Sequence, residues 1–218
     1  MKKIFSMVIL ITMCLFVLVG CEEKEETKIK HDYIDLGLSV KWATCNIGAE
    51  KPEDYGEYFA WGEIESKDYY DWNTYKYGKE DNFTKYNLTD RKMMLDPEDD
   101  AAVIKWGDDW RIPTTEELQE LIDNCNWTYS SKNGVNGFLV TSNISGYTDR
   151  SIFLPFSGYI LGNNVTVIDF VSYYLSSQRS VNELDCANIL CISYQDENMI
   201  GLGTLARWAG YPIRPVCK

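Results

Sequence analysis

The strongest structural signal in the chain is the segment IPTTEELQELIDNC, which occupies residues 112–125. It begins with the pattern of a capping box. The Thr114 hydroxyl is placed to accept a hydrogen bond from the Glu117 amide, and the Glu117 carboxylate is placed to accept one from the Thr114 amide. Apolar residues then follow at i, i+3, i+4 and i+7, and they are Leu118, Leu121, Ile122 and Cys125. We therefore expect an amphipathic helix that starts after Thr114 and buries one stripe.

Around this helix the sequence predicts a second helix and many short strands. Residues 97–104 carry proline and acidic side chains where a helix begins, and Gly107 is placed to end it. Residues 66–90 are polar and rich in tyrosine, which predicts a long surface loop. Short apolar segments predict strands over 33–36, 40–44, 58–61, 137–141, 151–154, 157–161, 165–168, 173–177, 187–194 and 211–217. Two early helices followed by short strands predict an α+β domain with antiparallel sheet.

The first 31 residues have the organisation of an exported, lipidated protein. Lys2 and Lys3 precede an apolar run, and LVGC at residues 18–21 then resembles a bacterial lipobox. We expect residues 1–20 to be a lipoprotein signal peptide, with an ordinary cleaved secretion signal as the alternative. The lipid is then carried by Cys21, residues 21–31 form an acidic tether, and residues 32–218 form the folded domain.

The acidic residues directly after Cys21 bear on the location. They resemble the export signal that sends lipoproteins of the Bacteroidetes to the outer surface, and a plain solvated linker is the alternative. We therefore expect an outer-membrane protein that is lipid-anchored and faces the cell exterior.

Charge limits the possible partners. Removal of residues 1–20 takes Lys2 and Lys3 away and leaves 19 basic and 33 acidic side chains, a net charge of −14. Such a surface repels phosphate backbones and anionic lipid, so we expect no nucleic-acid partner and membrane attachment only through the lipid.

Five cysteines remain beyond Cys21, and an odd number permits at most two disulfides. They are Cys45, Cys125, Cys186, Cys191 and Cys217. An exported location predicts at least one bridge among them, and the pairing stays open.

Several blocks, in order, resemble the Fibrobacter succinogenes major paralogous domain. They begin with HDYIDLGLSVKWATCNIGA at residues 31–49 and DYGEYFAWGE at residues 54–63, and shorter blocks follow at 99–102, 110–114, 133–137, 152–155 and 213–216. Two departures are PFSGY at 155–159, in place of the more usual PAAGY, and YLSS at 174–177, in place of YWSS. The resemblance covers residues 31–218.

This resemblance implies a C-type-lectin-like fold related to that of the formylglycine-generating enzyme. It also implies an exported, often lipidated surface protein of gut and rumen bacteria. No defined reaction comes with it, because the fold hosts sugar-binding, protein-binding and enzymatic members alike.

The sequence offers little for catalysis, and we expect no enzyme. The only histidine is His31, which we interpret as a surface residue packed beside the first strand. The C-x4-C spacing of Cys186 and Cys191 is similar to that of the copper-binding pair in the formylglycine-generating enzyme, which makes a copper-dependent oxidase the third-ranked alternative. However, a strand through both residues would turn the two thiols to opposite faces, so buried or bridged cysteines are the default expectation.

A binding site has better support. The predicted loop carries Tyr69, Tyr70, Trp72 and Tyr75, whose rings are candidates to stack against a sugar; core packing is the alternative. No cofactor is expected apart from a possible structural calcium ion, for which the candidate ligands are Asp99, Asp100, Asp108 and Asp109. The first two of these serve equally well as charges at a helix N-terminus.

These features predict a surface lipoprotein whose domain binds a glycan or an extracellular protein. The alternative from another class is a structural or assembly component of a cell-surface complex that has no small ligand. Exposed aromatic residues on the 66–90 loop would favour a glycan, whereas one contiguous apolar patch would favour assembly.

Overall fold

The computed structural model describes residues 31–79, 82–195 and 199–218. Within them the chain forms two α-helices and twelve strands, a mostly β architecture with few helices. The helices are α1 (Ala101–Trp106) and α2 (Thr115–Asn124), and a 3₁₀ turn spans Pro97–Asp99. The strands are β1 (Tyr33–Ile34), β2 (Lys41–Ala43), β3 (Trp110–Arg111), β4 (Cys125–Lys132), β5 (Val135–Ser142), β6 (Ser151–Pro155), β7 (Tyr159–Leu161), β8 (Asn164–Thr166), β9 (Val171–Arg179), β10 (Cys186–Ser193), β11 (Ile200–Ala206) and β12 (Val216–Cys217).

The signal peptide, Cys21 and all of the acidic tether except residue 31 lie outside the described residues. Across the described part of the chain, no helix is both long and apolar enough to cross a membrane.

A four-stranded sheet joins the first strands to the last one, in the order β1-β2-β12-β3. Val216 pairs with Trp42 on one side and with Arg111 on the other, so β12 lies inside the sheet. The buried Arg214 guanidinium reinforces this closure, because it donates to the carbonyls of Ala43 and Phe153. The segment 213–216 therefore has a structural role, because it connects β2, β3 and β6.

Helix α2 begins as the capping box predicts. The Glu117 amide donates to the Thr114 hydroxyl at 3.2 Å, and the Thr114 amide donates to the Glu117 carboxylate at 2.8 Å. Leu118 and Leu121 are fully buried in a core cluster that Ile122 packs against, which confirms the predicted stripe. The helix then passes directly into β4 at Cys125.

Helix α1 is shorter than predicted. Asp100 adopts an extended backbone and caps a helix that starts at Ala101, while Pro97–Asp99 form only the 3₁₀ turn. The Gly107 stop is confirmed, since its amide donates to Val103 O and closes the last turn.

Strand β4 was not predicted, because the sequence CNWTYSSK is largely polar and has no continuous apolar face. It pairs with β5 along its whole length, from Cys125↔Ser142 to Lys132↔Val135. The hairpin turn is Asn133-Gly134, with both residues at positive φ, as a two-residue turn of this kind requires. Strand β6 completes this sheet on the other side of β5.

The sheet β11-β10-β9 separates two core clusters, because successive side chains of a strand point to opposite faces. Ile189 packs in the first cluster with Trp61 and Tyr75, whereas Leu190 packs in the second with Leu118 and Leu121. The remaining two strands, β7 and β8, form a separate hairpin.

The predicted surface loop at 66–90 is irregular in structure, but it is not confined to the surface. Its described part, 66–79 and 82–90, inserts aromatic side chains into the first core cluster; these are Tyr70, Tyr75, Tyr77, Phe83 and Tyr86. The predicted strand at 58–61 is also replaced by irregular backbone with a single bridge, Phe59↔Tyr211.

The expected disulfide is not formed among the five described cysteines. Cys125 belongs to the second core cluster, while Cys191 and Cys217 belong to the first, on the other side of the central sheet. Cys186 and Cys191 are five residues apart on one strand, roughly 16 Å at the usual rise per residue. A disulfide requires Cα atoms within about 7 Å, so these two cannot be bridged.

Candidate functional site

The four aromatic residues proposed as ligand contacts do not form one exposed platform. Tyr70 and Tyr75 are buried, and their hydroxyls donate to the carbonyls of Tyr58 (2.5 Å) and Trp61 (2.8 Å). Only Tyr69, at 50% exposure, presents its ring to solvent. For Tyr70 and Tyr75 the structure therefore favours the core-packing alternative, which the sequence could not single out because an irregular segment has no periodicity that marks core residues.

Trp72 is half-buried and packs against other rings. Its indole lies 6.0 Å from the Tyr75 ring, 5.8 Å from Phe83 and 6.0 Å from Trp208. This residue supports the loop from outside and has little ring face left for a ligand.

The predicted calcium ligands do not converge on one site either. The Asp100 carboxylate accepts hydrogen bonds from the amides of Ala102 and Ile112, so it serves as a helix cap and ties α1 to β3. Asp108 and Asp109 are exposed beyond the other end of α1. Among the described residues, the one group of three metal-ligand side chains within 4.8 Å is Asp96, Glu98 and Asp99.

That group already holds a cation. The Lys85 ammonium lies 2.6 Å from Asp96, 3.2 Å from Glu98 and 2.5 Å from Asp99. Lys76 adds a second ion pair to the buried Asp99 at 2.9 Å. Lys85 thus takes the position that a metal ion would need.

Asp99 is ionised in spite of its burial. Burial alone would raise the pKa of this carboxyl, but hydrogen bonds from Lys85, Tyr77, Tyr86 and Lys76 outweigh it and hold the pKa far below its ordinary value. Asp99 therefore works as an internal anion that fixes the irregular loop to the 3₁₀ turn.

The cysteine pair proposed for copper does not meet the requirements of such a site. The strand separates the two residues, and burial, followed by the carboxylates of Asp185 and Glu183, raises the pKa of the Cys186 thiol to about 12. A metal-binding or reactive cysteine needs a lowered pKa, because the thiolate is the ligand. The geometry gives the oxidase alternative no support.

His31 is packed as a structural residue. Its ring stacks on Trp106 with centroids 3.7 Å apart and contacts Trp110 edge-on. Burial lowers its pKa, with the neighbouring Asp32 carboxylate acting in the opposite direction.

The exposed rings gather elsewhere, on a surface that we define by Tyr129, Phe170 and Tyr194. These are three of the five exposed aromatic side chains among the described residues, with exposures of 41%, 46% and 48%. The Tyr129 and Tyr194 rings stack with centroids 4.0 Å apart and planes inclined by 29°. The Tyr194 amide donates to the Phe170 carbonyl at 3.1 Å, which brings the third residue beside the pair. Together they form the aromatic surface.

The buried Phe156 supports this surface from below. The Tyr129 ring lies over the Phe156 ring at 6.3 Å, and the Phe156 carbonyl accepts the amide of Asp169. One core residue therefore anchors both β4 and the turn that leads to Phe170.

That turn has an unusual backbone. Val167 and Asp169 both adopt positive φ, at 50° and 69°, and for a β-branched residue such as Val167 this is a rare conformation. The Asp169 carboxylate accepts a hydrogen bond from the Tyr55 hydroxyl at 3.2 Å. Burial, followed by this carboxylate, raises the pKa of Tyr55 to about 12, so the hydroxyl remains a donor. Strained backbone of this kind concentrates at functional sites.

The chemistry of the aromatic surface is that of binding. It offers two phenol hydroxyls and the exposed parts of three rings, which suit a ligand that combines apolar faces with hydroxyl groups. Sequence reasoning missed it because Tyr129 lies on the unpredicted β4 and Tyr194 lies at the end of β10. No local pattern joins these residues to Phe170.

In comparisons with known proteins, no family model, no curated protein and no solved structure matches the chain.

Proposed function

We propose that this chain is an exported, lipid-anchored binding domain of the outer surface, and that it holds a glycan on the aromatic surface. The observation that carries the proposal is the clustering of three exposed aromatic residues: Tyr129 and Tyr194 stack on each other, and Phe170 is joined to Tyr194 by a backbone hydrogen bond. Single exposed apolar residues are common on protein surfaces, whereas a contiguous exposed cluster marks an interaction site. The three rings together therefore indicate ligand binding more strongly than any one of them.

A glycan fits this surface in two ways. The flat CH face of a pyranose matches an aromatic ring, while its hydroxyls find hydrogen-bond partners in the phenol groups of Tyr129 and Tyr194. The chain carries a net charge of −12 over its full length, which disfavours anionic ligands. A neutral glycan is therefore the class that the surface suits best.

The cellular setting of the proposal comes from the sequence. Cys21 would carry the lipid, the acidic tether would lead the domain out to the external face, and the fold would be C-type-lectin-like. The two helices and antiparallel sheets of the structure are compatible with an α+β domain, and the C-type-lectin-like assignment rests on the sequence resemblance.

A second candidate function is assembly with another surface protein. Two exposed aliphatic residues, Val167 and Met199, lie beside the aromatic surface. The Val167 carbonyl accepts the Phe170 amide, and the Met199 carbonyl accepts the amide of Ser193, which precedes Tyr194. Aliphatic groups do not stack on sugars, so this border favours a protein partner at the same place.

The test is a glycan array probed with residues 31–218, which contain both core clusters and the four-stranded sheet β1-β2-β12-β3. We expect selective binding that Tyr129→Ala and Tyr194→Ala each weaken by at least about tenfold, equivalent to ~1.4 kcal/mol. The melting temperature should change little, because both rings are exposed. Tyr33→Ala is the matched control, since Tyr33 is equally exposed but lies on β1.

Two other outcomes would change the proposal. A blank array with folded protein would favour the assembly role, which cross-linking on intact cells would then examine. Binding that a chelator abolishes would contradict the assignment of Lys85 as the resident cation of the acidic group.

A further inference from the structure

A second surface of the molecule is open to partners, and it uses none of the three rings above. Strand β11 is the edge of the sheet β11-β10-β9, and in the described part of the chain it pairs only with β10. The pairing is regular from Ile192↔Ile200 to Cys186↔Ala206, without a bulge. One side of this seven-residue strand is therefore left without a strand partner.

The β11 strand itself has none of the sequence features that usually protect an exposed edge. Natural proteins block such edges with charged residues, proline, bulges or very short strands. The β11 sequence IGLGTLA contains no charged residue and no proline. Gly201 has no atom within 4 Å of the position where a Cβ would lie, and Gly203 has only the Ile189 Cδ1 atom, so the sheet face at these two glycines is uncrowded.

An acidic groove runs beside this edge, between β11 and α2. It encloses about 440 Å³, and Leu202 lines it together with carboxylate and amide side chains of the helix. Glu116, Glu120 and Asp123 lie at i, i+4 and i+7, which places them on one face of α2.

The charge of the groove is not balanced within the described residues. Glu120 accepts from the Ser39 amide and Asp123 accepts from the Gln119 side chain, while Glu116 has a 3.4 Å contact with the Gln178 amide group. All of these donors are neutral, and no lysine or arginine lines the groove. Three carboxylates therefore line a groove in which no described lysine or arginine compensates their charge.

We propose that β11 and this groove form a docking site for an extended, basic segment of a partner protein. The segment would add as a strand to the β11 edge, through main-chain hydrogen bonds. Lysine or arginine side chains on one of its faces would reach Glu116, Glu120 and Asp123, and an apolar residue between them would contact Leu202. The backbone pairing supplies affinity, and the charges supply selectivity.

A second copy of this chain is a poorer occupant. Pairing of two β11 edges would bring two acidic helix faces together, in a chain whose net charge is already −12. Like charges across an interface are unfavourable, so the complementary partner is basic. This proposal does not depend on glycan binding and would survive a blank glycan array.

The probe is a short peptide that alternates lysine with threonine and valine, titrated into residues 31–218 and followed by fluorescence anisotropy. Two matched peptides accompany it: one has glutamate in place of lysine, and the other has N-methyl groups on alternate backbone amides. We expect binding of the basic peptide alone, since the first control reverses the charge and the second blocks strand pairing while keeping the charge.

Two protein variants complete the test. Glu116→Gln with Asp123→Asn should weaken binding by about tenfold and flatten its salt dependence, because these side chains supply charge and not fold. The control pair is Glu50→Gln with Asp149→Asn, two exposed acidic residues that do not line the groove. Leu202→Lys should abolish binding, because it places a cation at the floor of the site.

Three results would overturn the proposal. Equal binding of the N-methylated peptide would show electrostatic adsorption without strand addition. Unchanged affinity of the Glu116→Gln, Asp123→Asn variant would place the peptide elsewhere. A dimer in sedimentation analysis that Leu202→Lys dissociates would make the second copy the occupant.

Discussion

At the residue scale, a lysine side chain compensates the negative charge of a cluster of carboxylates. The calcium ligands expected from the sequence are Asp99, Asp100, Asp108 and Asp109, whereas the acidic group that the structure brings together is Asp96, Glu98 and Asp99. However, Lys85 lies in the loop before them and places its ammonium at their centre. The sequence could not reveal this ion pairing. The segment between Lys85 and the carboxylates is irregular backbone, and without a periodic pattern the sequence does not show that they meet.

Replacement of Lys85 should therefore create a cation site. We expect Lys85→Ala to lower the free energy of unfolding by about 2 kcal/mol, a value between those of exposed and buried ion pairs. Millimolar calcium should then raise the melting temperature of this variant and leave that of the wild type unchanged. Lys79→Ala is the control, since among the described residues the Lys79 ammonium has only a 3.5 Å contact with Asn73. A calcium response of the wild type in the same thermal scans would count against the assignment.

At the element scale, what could be predicted was what is encoded locally. The α2 start was predicted to the residue, because the capping box is complete within Thr114–Glu117. The β4 strand was missed because its residues are largely polar, although a two-residue turn joins it directly to β5. The burial of Tyr70 and Tyr75 was missed because it depends on Tyr58, Trp61 and other core residues outside their own irregular segment. The aromatic surface is of the same kind, because three separate elements contribute one ring each.

The capping box gives a prediction at this scale. Thr114→Ala removes the acceptor of the Glu117 amide and should lower the free energy of unfolding by about 1 kcal/mol. Thr114→Ser keeps a hydroxyl at the same place and should cost only a few tenths of that loss. Chemical denaturation of the three proteins measures both values, and an equal loss for serine and alanine would show that the methyl group, not the cap, is responsible.

At the scale of the whole molecule, the first core cluster is unusual for the number of tyrosines that it encloses. Burial raises the pKa of Tyr70 to about 12, and it also raises the pKa of Tyr75, Tyr77 and Tyr86. Unfolded tyrosine ionises near pH 10. A raised folded-state pKa contributes stability that is fully present below pH 10 and is lost as pH rises toward the folded-state value.

The domain should therefore unfold cooperatively in alkali. We expect a melting temperature that changes little from neutral pH to about pH 9.5 and then falls steeply between about pH 10 and pH 12. Tyrosinate absorbance should rise in two steps, with the exposed tyrosines first and the buried ones only as circular dichroism reports unfolding. A single smooth titration near pH 10, with the fold intact, would contradict the burial of these rings.

The position of β12 inside the four-stranded sheet β1-β2-β12-β3 determines when this sheet can be completed during folding. Strands β2 and β3 acquire their shared neighbour only when residues 216 and 217 arrive, more than 100 residues after Arg111. Contacts between residues so distant in sequence form slowly, and here they require residues 216 and 217. A polypeptide synthesised only as far as β11 would thus lack the strand between β2 and β3, so this sheet stays incomplete until residue 217 has been added.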